Sequence, residues 1–131
     1  MQDEKLTRST IIVNAVGAGV AVAFSVAALI DPTLAITGSA DSPGVDLYAQ
    51  AYAARAIPLG AALLFSLTSR RKRALLPLLT VSGAVQLGDG AIGAAQGIPG
   101  MMVGGSVLAL IHLATAGRLA LGNSRSATAA A

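Results

Sequence analysis

The sequence predicts an all-α, polytopic membrane protein that folds as an antiparallel four-helix transmembrane bundle. Only 11% of its 131 residues are charged and 54% are hydrophobic, whereas a soluble domain carries about 25% charged residues. The apolar residues form four runs, each close to the roughly 20 residues that cross the hydrocarbon layer of a bilayer. The connectors after the second and third runs are short, which favours antiparallel order of consecutive helices.

The four predicted spans cover residues 10–30, 45–68, 74–95 and 101–121. The first ends before Asp31-Pro32, because proline disfavours helical geometry in the residue that precedes it. Turn-forming residues fill the first connector, whereas the second is SRRKR (residues 69–73) and the third is QGIPG (residues 96–100). Residues 1–9 are predicted to be a cytoplasmic segment, and residues 122–131 a disordered cytoplasmic tail.

The basic residues predict the orientation of the chain. All except Arg55 lie at the amino end, in the second connector or at the carboxyl end; they are Lys5, Arg8, Arg70, Arg71, Lys72, Arg73, Arg118 and Arg125. The positive-inside rule therefore predicts a protein of the cell (inner) membrane with both termini in the cytoplasm. A cleaved signal peptide is disfavoured, because the first apolar run is longer than a signal-peptide core of roughly 7 to 15 residues. The basic connector suits anionic headgroups, so membrane lipid is an expected partner and nucleic acid is not.

Polar residues within the spans follow helical spacing. Tyr48, Tyr52 and Arg55 share one face of the second span, and Gln86 and Asp89 share one face of the third together with Ser82. His112 is the polar group that the fourth span contributes to this cluster. At about 1.5 Å per residue, Arg55, Gln86, Asp89 and His112 lie in one depth window of the outer half of the membrane. Asn14, near the cytoplasmic end of the first span, is expected to lie outside this cluster.

Arg55 and Asp89 are the two charged residues that lie well away from the ends of the predicted spans, and they have opposite signs. Unpaired, they would together cost about 5 to 7 kcal/mol on the insertion scale. The sequence therefore predicts an ion pair between them. Such a pair could serve only to fix the register of two helices. The additional polar groups at the same depth favour a functional site instead.

The order of these features resembles a family of small four-helix membrane proteins, bacterial and fungal, catalogued as a domain of unknown function (the 4267 type). The stretches that carry the resemblance are YAQAYAARAIPLGAALL, LLTVSGAVQLGDGAIG and LIHLATAG, within residues 45–120. The family motif corresponds here to Arg55 with Gly60, Asp89 and His112. The resemblance implies a four-helix membrane fold, and it implies no established activity.

The first functional hypothesis is a polar intramembrane pocket that binds, and could convert, a small lipophilic molecule. Asp89 and His112 would transfer protons and Arg55 would stabilise developing negative charge, while Tyr48, Tyr52 and Gln86 would contact the ligand. Isomerisation, cyclisation and epoxide opening suit such a set. No cofactor is expected, and no metal, because one His and one usable carboxylate are too few ligands.

Two other functions remain open from the sequence. A proton- or ion-coupled transporter acting as an oligomer is one, and an accessory or assembly subunit with a structural Arg-Asp pair is the other. Small residues four positions apart could support a homo-oligomer, although packing within the bundle is the commoner use of this pattern. These pairs are Gly93 with Gly97, Gly100 with Gly104, and Ala56 with Gly60.

Overall fold

The structure, a computed structural model, describes residues 6–36, 39–40, 42–69 and 72–128. Its helices are α1 (Arg8–Ile30), a short 3₁₀ helix (Pro32–Leu34), α2 (Pro43–Thr68), α3 (Lys72–Gln96) and α4 (Pro99–Thr128). The four α-helices are long and apolar enough to cross a membrane. The predicted all-helical architecture is confirmed, and each predicted span falls within one of these helices.

Local side-chain chemistry explains where the helices begin and end. α1 begins after Thr7 and α2 after Ser42, and each hydroxyl accepts a hydrogen bond from a backbone N–H of the first turn. α1 ends where the sequence predicts, because Asp31 adopts an extended conformation before Pro32. Gly97 has a φ of 66° in the turn between α3 and α4, a conformation that glycine adopts readily.

α4 continues to Thr128, beyond Leu121, where the predicted fourth span ends. Residues 122–128 are therefore helical, although the sequence analysis assigns them to a disordered tail. The apolar run marks how much of a helix can lie in hydrocarbon, whereas the helix itself continues because no proline interrupts this segment. Arg8 and Ser9 of the predicted amino-terminal segment belong to α1, whereas residues 1–5 and 129–131 of the two terminal segments lie outside the described residues.

Glycines bring the helices together in pairs. A Cβ on Gly105 of α4 would lie 2.5 Å from the backbone nitrogen of Gly90 in α3, so only glycine fits there. A Cβ on Gly60 of α2 would meet the side chain of Val22 in α1. Along α3 and α4 the contacting residues run in opposite chain order: Gly83 with Leu113, Gly90 with Ser106, and Gly93 with Met102.

Two apolar clusters close the two ends of the bundle. The base cluster is formed by Ala18, Leu63, Leu67, Leu75, Leu79 and Ala116, and Leu6 and Leu119 pack against it. Ala28, Ala35 and Ala49 form the second cluster where the 3₁₀ helix packs between α1 and α2. We call the end with this second cluster and the α3–α4 turn the connection end. The polar residues of the predicted site lie between the two clusters.

Candidate functional site

A cavity of about 280 Å³ lies between the helices near the connection end, and we call it the ligand cavity. Most of its wall is apolar or glycine, with Phe24 from α1 and Gly104 from α4 among the lining residues. Its polar lining consists of Tyr48, Tyr52, Gln86 and Asp89. The cavity therefore combines an apolar interior with four polar side chains from two helices.

The predicted ion pair is present. Arg55 of α2 donates a hydrogen bond from Nη2 to Oδ1 of Asp89 in α3. The exposed fraction of the Asp89 side chain is 6%, whereas that of Arg55 is 41%. The carboxylate is thus enclosed by the bundle, whereas the guanidinium that binds it is partly exposed at the surface between α2 and α3.

Three aromatic rings form one side of the ligand cavity, and the Arg55 guanidinium packs against one of them. The rings of Tyr48 and Tyr52 stack with centroids 6.4 Å apart, and Phe24 meets Tyr52 edge-on with centroids 6.0 Å apart. The Arg55 guanidinium carbon lies 5.3 Å from the centroid of the Tyr52 ring, within cation–π distance. Tyr52 is therefore held between an apolar ring and the cation that neutralises Asp89.

An open groove of about 520 Å³ adjoins the ligand cavity at the connection end. Tyr48, Ile98 and Met101 line both spaces, and the Tyr48 hydroxyl donates a hydrogen bond to the Met101 sulfur at 3.5 Å. Tyr48 and Met101 therefore lie at the boundary between the groove and the ligand cavity.

A second, much smaller cavity of about 20 Å³ lies at the centre of the bundle. Ser82, Gln86, Asp89 and His112 are its polar lining. Oδ2 of Asp89, Oγ of Ser82 and both ring nitrogens of His112 are buried and have no hydrogen-bond partner among the described residues. Ala21, Gln86 and Asp89 line both cavities, so these three residues lie between the ligand cavity and the central one.

The structure thus divides the six predicted site residues into three positions. Tyr48, Tyr52, Gln86 and Asp89 line the ligand cavity. His112 faces the central cavity instead, and Arg55 lines neither but contacts both Asp89 and Tyr52. His112 therefore does not line the space that Tyr48, Tyr52, Gln86 and Asp89 share.

Asn14, which the sequence predicts to lie outside the cluster, lines neither cavity and extends the buried polar groups of the bundle beyond them. Its side-chain amide donates hydrogen bonds to the Thr10 carbonyl at 2.8 Å and to the Thr115 hydroxyl at 2.9 Å. Thr115 lies one helical turn beyond His112 on the same face of α4. The spacing of His112 and Thr115 could have indicated this extension, whereas nothing in the sequence specifies that α1 supplies the partner.

The described residues contain no group of three or more His, Cys, Asp or Glu side chains placed to hold a metal ion. The chain matches no protein-family model, no curated protein and no solved structure. The resemblance to the four-helix family of unknown function is therefore carried by Arg55, Gly60, Asp89 and His112 and stays a hypothesis.

Proposed function

We propose that the chain is an antiparallel four-helix bundle in the cell (inner) membrane, with both termini in the cytoplasm. Four helices of spanning length and the reversed order of α3–α4 contacts support the bundle. The basic residues of the second connector and of the two ends of the chain support the orientation. In this orientation the connection end faces away from the cytoplasm, and the base cluster lies on the cytoplasmic side.

We propose that the bundle binds a small, elongated lipophilic molecule in the ligand cavity. The observation that carries this proposal is the mostly apolar cavity of about 280 Å³ with a few convergent polar groups. Binding sites for small molecules have this composition, and their volumes begin at about 300 Å³. The adjoining groove gives the molecule a way in from the outer leaflet and space for a chain longer than the cavity itself.

The polar lining suggests which end of the molecule lies deepest. A carboxylate accepts hydrogen bonds, and an amide both donates and accepts them. Asp89 and Gln86 therefore suit a hydroxyl or amino group at the inner end, while the stacked rings of Tyr48 and Tyr52 suit an apolar chain. We propose a lipophilic alcohol or amine as the class of ligand.

The same groups suit acid–base conversion of the bound molecule. In epoxide opening, Asp89 would accept a proton from a water molecule that attacks an epoxide carbon, and a tyrosine hydroxyl would donate a proton to the epoxide oxygen as its bond to that carbon breaks. Arg55 would balance the charge on the Asp89 carboxylate. Isomerisation, cyclisation and epoxide opening are the reactions we propose. A long-chain terminal epoxide in vesicles tests this, and we expect Asp89→Asn and His112→Ala to abolish formation of the diol while the protein stays folded.

The base cluster favours a pocket over a transporter. A transported ion or molecule would have to pass between its closely packed Leu63, Leu67, Leu75 and Leu79 side chains, which are at most 4% exposed. Proton-dependent uptake of a substrate by proteoliposomes would instead support transport.

The binding proposal can be tested with a long-chain alcohol that carries a photoreactive diazirine. In lipid vesicles we expect saturable labelling of residues that line the ligand cavity. Gly104→Leu should weaken this labelling by about tenfold or more, which corresponds to 1.4 kcal/mol, because a side chain there has open space to fill.

Gly117→Leu is the matched control, since Gly117 lies on the same helix, has open space beside it and does not line the ligand cavity. This variant should label like the original chain. Labelling that does not saturate, or that Gly104→Leu leaves unchanged, would show that the probe only partitions into the bilayer and would contradict the proposal.

A further inference from the structure

The central cavity has the size of a water site. All four helices contribute to its wall, through small residues such as Ala18, Ala21 and Ala56 and through the polar side chains. Its volume is about 20 Å³, and a buried water molecule needs about 10 to 15 Å³ measured in this way. The space therefore accepts one water molecule and excludes an organic ligand.

The atoms around this cavity require a partner that the described residues do not supply. Ser82 and Asp89 are each 4% exposed and His112 is 2% exposed. Oγ of Ser82, Oδ2 of Asp89 and both ring nitrogens of His112 lack hydrogen bonds. Buried polar groups in native proteins nearly always have a partner, either from the protein or from ordered water. One small space that borders all three side chains points to a single partner shared by Oγ of Ser82, Oδ2 of Asp89 and one ring nitrogen of His112.

We propose that one water molecule is bound at the centre of the bundle, between Asp89, Ser82 and His112. The donors and acceptors match. The carboxylate oxygen accepts one of the water's hydrogens, and a neutral imidazole nitrogen and the serine hydroxyl can each either donate or accept. Three hydrogen bonds are the usual number for a buried water. The site itself does not depend on whether the ligand cavity binds a molecule.

This water would connect His112 to the ligand cavity. His112 does not line that cavity, but Asp89 lines both cavities. A hydrogen-bonded path then runs from the imidazole through the water to Oδ2 of Asp89, and through Oδ1 to Arg55. His112 thereby acts as a positioning residue that fixes the carboxylate from behind, and it is the group with which that carboxylate exchanges a proton.

Solid-state NMR tests the water site directly, because the chain contains a single histidine. Protein labelled with ¹⁵N-histidine, in vesicles of phosphatidylethanolamine and phosphatidylglycerol, gives ring signals from His112 alone. We expect magnetisation to pass from water protons to a His112 ring nitrogen at short mixing times. Absence of this transfer in the folded original chain would overturn the proposal, and this measurement needs no variant and no ligand.

Two substitutions on α3 sharpen the result. Ser82→Val puts two methyl groups against the central cavity, so the water-to-histidine transfer should be lost. Thr80→Val also replaces a hydroxyl with a methyl group, but on the exposed side of α3, where the hydroxyl bonds the Leu76 carbonyl, and it should leave the transfer intact. Full transfer in a folded Ser82→Val protein would show that the water contacting His112 lies elsewhere, which would contradict the site.

Discussion

Replacing Gly105 with alanine should destabilise the bundle by about 1 to 3 kcal/mol, the usual cost of overpacking a close contact. A Cβ at this position would lie 2.5 Å from the Gly90 nitrogen and 2.7 Å from the Gln86 carbonyl oxygen. Both are backbone atoms, so no change of rotamer relieves the contact and α3 must move away from α4. The free energy of unfolding in detergent micelles or bicelles measures this cost.

Two other glycines serve as matched comparisons. A Cβ on Gly117 of the same helix would meet nothing within 4 Å, so Gly117→Ala should be neutral or stabilise by up to about 1 kcal/mol through helix propensity. A Cβ on Gly83 would lie 2.5 Å from the Leu113 side chain, which can rotate, so Gly83→Ala should give an intermediate loss. Equal stability of Gly105→Ala and Gly117→Ala would refute the close α3–α4 contact.

Three further predictions follow from the ion pair, the orientation and the buried amide. Arg55→Met should lower the free energy of unfolding by about 3 to 5 kcal/mol, because it leaves a buried carboxylate unpaired. Asp89→Asn should lower it by less, because the guanidinium that it leaves unpaired is 41% exposed. If thermal unfolding shows Asp89→Asn to be the less stable variant, this prediction is contradicted. In this cysteine-free chain, Ser39→Cys should react with a membrane-impermeant maleimide added to intact cells and Ser69→Cys should not, whereas the opposite pattern would invert the orientation. Asn14→Leu should lower the free energy of unfolding by about 1 to 3 kcal/mol, since it removes two hydrogen bonds; an unchanged value would show that these bonds add nothing to stability.

The helices and the ion pair could be predicted because each rests on a strong energetic constraint. Apolar runs of spanning length have few alternatives to a membrane helix. A charged residue inside such helices needs a partner of opposite sign. Arg55 and Asp89 could therefore be paired from their similar estimated depths in the membrane. The position of Pro32 likewise fixed the end of α1, because it restricts the residue before it.

The division of the polar residues between two cavities could not be predicted in the same way. Helical spacing places His112 on a face of α4, but it does not give the rotation of α4 about its axis. That rotation depends on the close backbone contact between Gly105 and Gly90. The sequence contains many other pairs of small residues that could have formed such a contact, so it does not identify this one. Spacing also places Arg55 on the face of Tyr48 and Tyr52, whereas its long side chain turns towards α3 and stays partly exposed.

The flanking glycines of Asp89 illustrate the same limit. Gly88 and Gly90 look equivalent in the sequence, and either could have given a neighbouring helix or a ligand access to the carboxylate. In the structure Gly90 packs against α4, where a Cβ would lie 2.9 Å from the Ser106 hydroxyl, while Gly88 has open space beside it. The ligand cavity is lined instead by glycines of α4, among them Gly104 and Gly100. These two form one of the small-residue pairs in the sequence.

The central claim, that the ligand cavity binds an elongated lipophilic molecule by its polar end, is tested most directly by crystallography with a bromine-terminated long-chain alcohol. We predict an anomalous bromine peak in the groove beside Tyr48 and Met101. The hydroxyl should lie within hydrogen-bonding distance of Asp89 or Gln86, and both features should be absent from Gly104→Leu. Bromine found only among lipids on the outer surface of the helices, with the cavity filled by side chains or water, would contradict the account.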